Sequence, residues 1–340
     1  MDKKKGSHTD KRKGSKKGKR TGKSAAKGKG GQYTPKKKGP YVEQRKASKT
    51  EQKKESNTEQ SKDSNTEQRK EPYVEKKKES NMEKRKELNA KNLNILFEDN
   101  HLIVVNKPAG YLVQGDDTGD TPLSESVKQY IKLKYKKTGD VYLGVIHRLD
   151  RPVSGAIIFA RTSKALTRMN EMFKDKKIEK NYLAITKQRP KLLEGRLEGY
   201  LLKDSLKNRS KVYNQIGKKT KEAKLSITDY KYQGEIDGYI LLKVMPITGR
   251  SHQIRAQLAH AGCPIVDDFK YGYPHSNHDG SIHLHCRSMS FKHPVKKEWM
   301  TVKAGLPKAN FWRQFKELIK ESERGERKRS FKLEDEGSGK

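Results

Sequence analysis

The sequence predicts an α+β protein, a largely antiparallel mixed sheet with flanking helices, preceded by a disordered basic tail. Three observations carry that expectation. Apolar runs of strand length outnumber stretches of helical spacing, most of them are joined by short turns, and apolar residues are scarce ahead of Leu93. Only 31% of the 340 residues are hydrophobic, and the shortfall is concentrated at the N-terminus. Residues 1–91 hold 31 Lys and Arg against 13 Asp and Glu. Such a stretch buries too little apolar surface to offset its ordering entropy. The chain therefore divides into a Lys-rich, low-complexity tail (1–91), a folded domain (92–315) and a charged C-terminal helix or tail (316–340) expected to fray.

Within the folded domain the elements read in order. LNILFEDNHLIVVNKPAG supplies two short apolar runs around EDNH, a hairpin closed by Pro108 and Gly110. LSESVKQYIKLKY has helical spacing, with Leu123, Val127, Tyr130 and Ile131 on one side. GAIIFA reads as a buried strand, and TSKALTRMNEMF as a helix with a Thr/Ser cap and a stripe of Leu166, Met169 and Phe173. NYLAI, KLSITDY and GYILLKVMP follow as strands. The last leads into TGRSHQIRAQLAHAG, a helix with Gly262 as its C-terminal stop.

Composition narrows the partners. The tail and the remainder are each +18, so both favour a polyanion: RNA, DNA or an acidic membrane surface. No apolar run is long enough to span a bilayer. The N-terminus has neither the apolar core of a signal peptide nor an Arg-rich presequence pattern, so a cytoplasmic location is expected. Two cysteines, Cys263 and Cys286, are too few for a disulfide framework of the secreted kind. In the tail, SNTEQ occurs at 56 and again at 64, a polar repeat with no apolar face to stack. GKRTGKS is no phosphate loop, because Lys17 stands where the first glycine is needed and no strand precedes it. HSNHDGSIHLHC gathers His275, His278, His283, His285 and Cys286. Its alternation suits a strand better than a zinc site, since a second regularly spaced ligand pair is missing. No metal is expected there.

HRLDRPVSG, residues 147–155, lies between YLGVI and GAIIFA, as a loop raised from a sheet edge. Its Asp150 has Arg148 and Arg151 close by in sequence, and basic neighbours favour the charged form of a carboxylate, which can act as a nucleophile. Taken alone, the same residue could cap a turn or form a structural ion pair. A glycosidase would need a second carboxylate nearby, and the loop offers none.

HRLDRPVSG resembles the central motif of the RluA-type pseudouridine synthases, usually seen as HRLDxxTSG. LFEDNHLIVVNKPAG resembles that family's first motif, KNYLAI its lysine-x-tyrosine strand, and PITGRSHQIRAQLAHAGCPIVDD with the following YG its third. The resemblance covers residues 93–305 in the family's order. Val153 departs from it, replacing a Thr hydroxyl expected to brace the loop.

The resemblance implies the pseudouridine synthase catalytic fold and isomerisation of uridine in a structured RNA. It makes Asp150 the nucleophile, Arg255 its ion-pair partner and Tyr182 a stacking ring and final base. Arg148 would fill the space left by the extruded base, and Arg250, His252 and Leu258 are further substrate-binding positions. His147 reads as a loop hydrogen-bonding residue. The implied chemistry calls for no cofactor and no metal. The partner is ribosomal or transfer RNA, with the large basic tail pointing to ribosomal RNA. A monomer with no obligate protein partner and no membrane association is expected. A non-catalytic RNA-binding or ribosome-assembly protein built on the same fold is the alternative.

Overall fold

The computed structural model describes residues 90–325. The expected tail lies outside the described residues up to 89, as do residues 326–340. The order of elements is β1 (Ile95–Glu98), β2 (Leu102–Lys107), α1 (Leu123–Lys134), β3 (Gly144–Val145), β4 (Ser154–Ala160), α2 (Ser163–Lys174), β5 (Glu179–Thr186), β6 (Glu194–Asp204), β7 (Arg209–Tyr213), β8 (Lys224–Ile236), β9 (Tyr239–Pro246), α3 (Gln253–His260), β10 (Leu284–Lys292), β11 (Trp299–Lys303) and α4 (Asn310–Gln314). A further helix, α5, occupies 316–325.

One 11-stranded sheet runs β1-β2-β4-β10-β5-β9-β8-β6-β7, with β11 on β10 and β3 on β4. Every pairing is antiparallel except that of β4 with β10, so the expected α+β class with a largely antiparallel mixed sheet is the one observed. The EDNH turn closes β1 and β2 as expected. Asp99 Oδ1 accepts from the amides of His101 and Leu102, both at 2.8 Å, and so orders the turn. In α1, Leu123, Val127 and Ile131 recur at four-residue spacing and are fully buried. Thr162 Oγ1 caps α2 by accepting from the Ala165 amide. Gly262, at φ +80°, ends α3. There the Cys263 amide donates to Leu258 O and the Gly262 amide to Ala259 O, the paired bonds of a Schellman turn.

β5 shows how the sheet separates two faces. Ala184 and Tyr182 face the main core, which is built from β2, β4, α1 and α2, whereas Leu183 and Ile185 pack with Leu241, Trp312, Phe315 and Ile319. Within the expected C-terminal segment, residues 316–325 form a helix that packs and does not fray. Phe315 and Ile319 are fully buried at four-residue spacing, and that apolar stripe docks the helix through 325 on the rear of the sheet. The β6–β7 hairpin was not anticipated either. Most of its residues are exposed or half-buried, so its sequence carries no clear apolar alternation.

The parallel contact of β4 with β10 requires the glycine of VSG. Gly155 has φ +121°, and a Cβ there would lie 2.3 Å from Cys286 O and 2.5 Å from Cys286 N. Backbone conformation and close approach both exclude a side chain. Gly155→Ala should lower the stability by about 2–4 kcal/mol, combining strain at positive φ with displacement of β10. Urea denaturation checks this, and an unchanged midpoint would contradict it.

Candidate active site

The HRLDRPVSG loop is pinned on both sides of Asp150. Before it, His147 Nε2 accepts from the Ile158 amide at 3.0 Å, and the ring stacks on Phe173 at 4.9 Å between centroids. Burial, with Lys180 nearby, pushes the His147 pKa down to about 3. It is a neutral brace, as expected of a loop hydrogen-bonding residue. After Asp150, the Val153 amide closes a turn on Asp150 O at 3.0 Å, and the Gly110 amide donates to Arg151 O at 2.7 Å. Lys107, fully buried, donates to the carbonyls of Pro108 (3.0 Å), Tyr111 (2.8 Å) and Arg151 (3.2 Å), tying the NKPAG segment to the same loop. Burial lowers its pKa to about 7, against the opposing pull of Asp150.

A second block presents Arg255. Between β9 and α3 the chain turns through TGRSHQ, and Gln253 staples the turn. Its Oε1 accepts from Thr248 Oγ1 (2.7 Å) and the Arg250 amide (2.9 Å), and its Nε2 donates to Ile227 O (3.0 Å) and Thr228 Oγ1 (2.8 Å). This holds His252 at the start of α3 with φ +54°, a left-handed conformation uncommon outside glycine. Ile254 and Leu258, four residues apart on one side of α3, anchor it in the main core.

Arg255 projects from that helix and bridges two carboxylates. Its Nε and Nη2 donate to Asp268 at 2.7 and 2.8 Å in a fork, and its Nη1 donates to Asp150 Oδ2 at 3.0 Å. The guanidinium is 5% exposed and Asp268 1%, while Asp150 is 26% exposed. Burial works against the charge on Arg255, but Asp268 and Asp150 outweigh it and hold the guanidinium above its ordinary pKa. His252 Nε2 lies 3.8 Å from the same Asp150 oxygen.

Asp150 therefore stands with one edge fixed and the other open to a cleft of about 700 Å³. That size falls within the range of about 300–1,000 Å³ in which small ligands bind. Tyr182, Arg148, Arg250, His252 and Arg255 line the cleft with Asp150, and Lys174, Lys176 and Lys180 line it too. Tyr182 has its pKa raised well above the ordinary phenol value, first by burial and then by Cys286 and Asp150, so its resting form is the neutral phenol. Cys286 is itself pushed up to about 12 by burial. An open carboxylate beside an aromatic ring, inside a rim of cations, suits a base carrying a phosphodiester on either side.

Comparison with known proteins gives the family of the chain. A family model described as RNA pseudouridylate synthase matches residues 101–260. The chain is 34% identical over 247 residues to tRNA pseudouridine synthase C of Haemophilus influenzae, covering 65% of this chain and 95% of that protein. The chain belongs to the RluA-type RNA pseudouridine synthase family. It is thus one of a family of isomerases acting on RNA. It is also 33% identical over 218 residues to ribosomal large subunit pseudouridine synthase C of Yersinia pestis, spanning 62% of this chain and 65% of that protein. Among solved structures, human RNA pseudouridylate synthase domain containing 4 shares the fold, with a TM-score of 0.55 and 23% identity over 64% of this chain and 91% of that one.

Set against the sequence, the structure brings together Asp150, Tyr182, Arg255, Arg148, Arg250 and His252 around one cleft. Leu258 does not join them, because it is fully buried among core residues four positions beyond Ile254. Arg151 does not flank the carboxylate as its sequence position suggested. It turns away to Asp120 and to Gly110 O, and the cation on Asp150 is Arg255, 105 residues away. Val153 is buried in the core, and its amide makes the turn to Asp150 O, so the backbone braces the loop where a hydroxyl was expected to.

Among the participants that the sequence reading does not single out are Asp268, Lys107 and Lys180. Each sits inside a quoted motif (VDD, NKPAG and KNYLAI), but a buried partner leaves no periodic signal. The histidines of HSNHDGSIHLHC disperse. His283 pairs with Asp267 at 3.1 Å and His285 with Ser154 at 2.9 Å. Among the described residues no group of three His, Cys, Asp or Glu could hold a metal ion, and no helix is long and apolar enough to cross a membrane.

Removing the bridge should be costly. Arg255→Met leaves the Asp268 carboxylate buried without its fork, so the protein should lose about 3–5 kcal/mol of stability, read by urea denaturation. A loss below about 1 kcal/mol, the size of an exposed surface pair, would show that the bridge contributes little.

Proposed function

We propose that this protein isomerises uridine to pseudouridine in ribosomal RNA, with the Asp150 carboxylate as its nucleophile. The observation that carries the reading is the Arg255 to Asp150 contact at 3.0 Å on the wall of a cleft that also holds Tyr182. The reaction detaches uracil by breaking the bond from N1 to C1′, turns the base, and joins C5 to the same C1′. A proton then leaves C5 and N1 takes one up, so the atoms of substrate and product are the same. Asp150 acts at the start, by adding to the base or by promoting departure from the sugar carbon. Arg255 keeps its charge and direction fixed through that step.

Tyr182 stacks on the extruded ring. Because it rests as a neutral phenol, it takes the C5 proton only by giving up its own hydroxyl proton in the same step. The Asp150 carboxylate, free again by then, is the acceptor, and it returns to its charged form by releasing that proton to solvent, from which N1 takes one up. Arg148, exposed at the cleft mouth, enters the space vacated in the RNA, where its guanidinium stacks among bases and offsets part of the few kcal/mol that flipping costs. Arg250, with Lys174 and Lys176, meets the flanking phosphates, and His252 completes the wall beside Asp150.

The ribosomal assignment rests on the +18 charge of residues 1–91, which adds sequence-independent affinity for a large polyanion. A second reading, transfer RNA, is favoured by the 95% coverage of the Haemophilus protein against 65% of the Yersinia protein. Both readings take the protein to act as a monomer in the cytoplasm, needing no cofactor or protein partner.

Mapping pseudouridines across stable RNAs, in cells carrying wild-type protein or Asp150→Asn, tests chemistry and target together. A ribosomal site should disappear in the variant while purified variant still folds and binds RNA. Loss confined to transfer RNA would establish the second reading, and an unchanged map would make the protein a non-catalytic RNA binder. The tail has its own test. Deleting residues 1–91 should flatten the slope of RNA affinity against salt concentration while leaving the modified position the same. An unaltered slope would contradict a role for the tail in binding.

A further inference from the structure

Behind the wall that carries Arg255 and His252 stands Tyr271, the last residue of a single 3₁₀ turn, Phe269–Tyr271. It is buried at 4% exposure, and its surroundings are unusual for a core tyrosine. Two guanidinium groups lie over its ring, Arg255 at 5.0 Å from the centroid and Arg209 of β7 at 5.2 Å. Its hydroxyl is 2.8 Å from His252 Nδ1 and accepts from the Ser210 amide at 2.8 Å.

These contacts point to one arrangement of protons. The Ser210 amide can only donate, so the phenol oxygen accepts there, and we infer that its one proton is given to His252 Nδ1, 2.8 Å away. Burial raises the pKa of Tyr271, which keeps that proton in place. With Nδ1 accepting, a neutral His252 carries its proton on Nε2, the atom 3.8 Å from Asp150 Oδ2. The groups acting on His252 are Asp150, Asp268, Arg255 and Lys270, together with the Tyr271 hydroxyl. The left-handed backbone of His252, locked by Gln253, points to a residue held in place against local preference.

We propose that Tyr271 is a positioning residue for the catalytic carboxylate: it orients His252 toward Asp150, braces Arg255 from behind, and ties both to the β6–β7 hairpin. The inference rests on the reading of Asp150 as the catalytic group. The tie to the hairpin has three further strands. Ser210 Oγ donates to Ser251 O at 2.7 Å, Lys270 Nζ donates to Asn208 O at 3.1 Å, and Arg209 covers the Tyr271 ring. At the tip, Leu206 is fully exposed, and exposed Lys207 and Arg209 follow it, a cationic surface suited to an RNA strand leaving the cleft. RNA seated on this hairpin loads the same contacts that set His252 and Arg255.

Tyr271→Phe keeps the ring and removes the hydroxyl. It should lower kcat roughly tenfold, the effect of losing one orienting hydrogen bond, with KM for RNA unchanged. Nitrogen-15 NMR of the wild-type full chain should show His252 protonated at Nε2 and accepting at Nδ1. In the variant that preference should fade, and the ring should titrate at higher pH, because its neutral form has lost a donor. An ordinary packing role would lower the melting temperature without moving the His252 signals. The proposal is overturned by an Nδ1-protonated His252 in the wild type, a reading that needs no variant to fold. It is also overturned by a Tyr271→Phe enzyme with unchanged kcat, or with a raised KM alone. Asp150→Asn separates the two levels: should that variant remain active, the underlying reading fails, whereas an inactive Asp150→Asn beside a fully active Tyr271→Phe overturns this proposal alone.

Discussion

The position of Asp150 depends on one guanidinium. Arg255 spends two of its donors on Asp268 and a third on Asp150, so a buried ion pair becomes the mount for a half-exposed one. Burying Arg255 and Asp268 costs several kcal/mol per ion before their attraction is counted. The fork and the charge-assisted bonds offset that cost, and a carboxylate aimed into a cleft is what the arrangement supplies. A lysine could carry the charge there but not the planar three-way geometry.

The rest of the fold brings the two ends of that bridge together from distant parts of the chain. Asp150 arrives on a loop between β3 and β4, fixed at its base by the close approach of Gly155 to Cys286 and on its flank by the three carbonyls gathered around Lys107. Arg255 arrives on α3, whose entry is locked by the four hydrogen bonds of the Gln253 amide. Sheet order does the remainder. β10 lies between β4 and β5, so the Asp150 loop and Tyr182 are separated by a single strand. Rigid elements supply the precision, and the loops between them carry the chemistry.

Much of this was legible in the sequence, for reasons that differ by element. α1 and α2 declared themselves through apolar residues at helical spacing, and β4 and β9 through continuous apolar runs, because both patterns are set by burial. The β6–β7 hairpin did not, since its solvated faces leave composition nearly free. The docking of 315–325 was underestimated because charged residues surround a stripe as narrow as Phe315 and Ile319. Within the site, Asp150, Tyr182 and Arg255 stood out through motif resemblance. Asp268, Lys107 and Tyr271 act on those residues through folding alone, and contacts made across long stretches of chain have no local signature. Leu258 illustrates the reverse error: a motif residue can serve the helix that carries the site without entering the site.

The placement of an extruded nucleoside against Asp150 is tested most directly by a structure of the protein with an RNA containing 5-fluorouridine at the target position. The fluorinated base should lie extruded into the cleft against the Tyr182 ring, with an Asp150 oxygen bonded to or touching the nucleoside and the fork from Arg255 to Asp268 intact. A nucleoside seated away from Asp150, or one reached only after the Arg255 bridge has come apart, would contradict it.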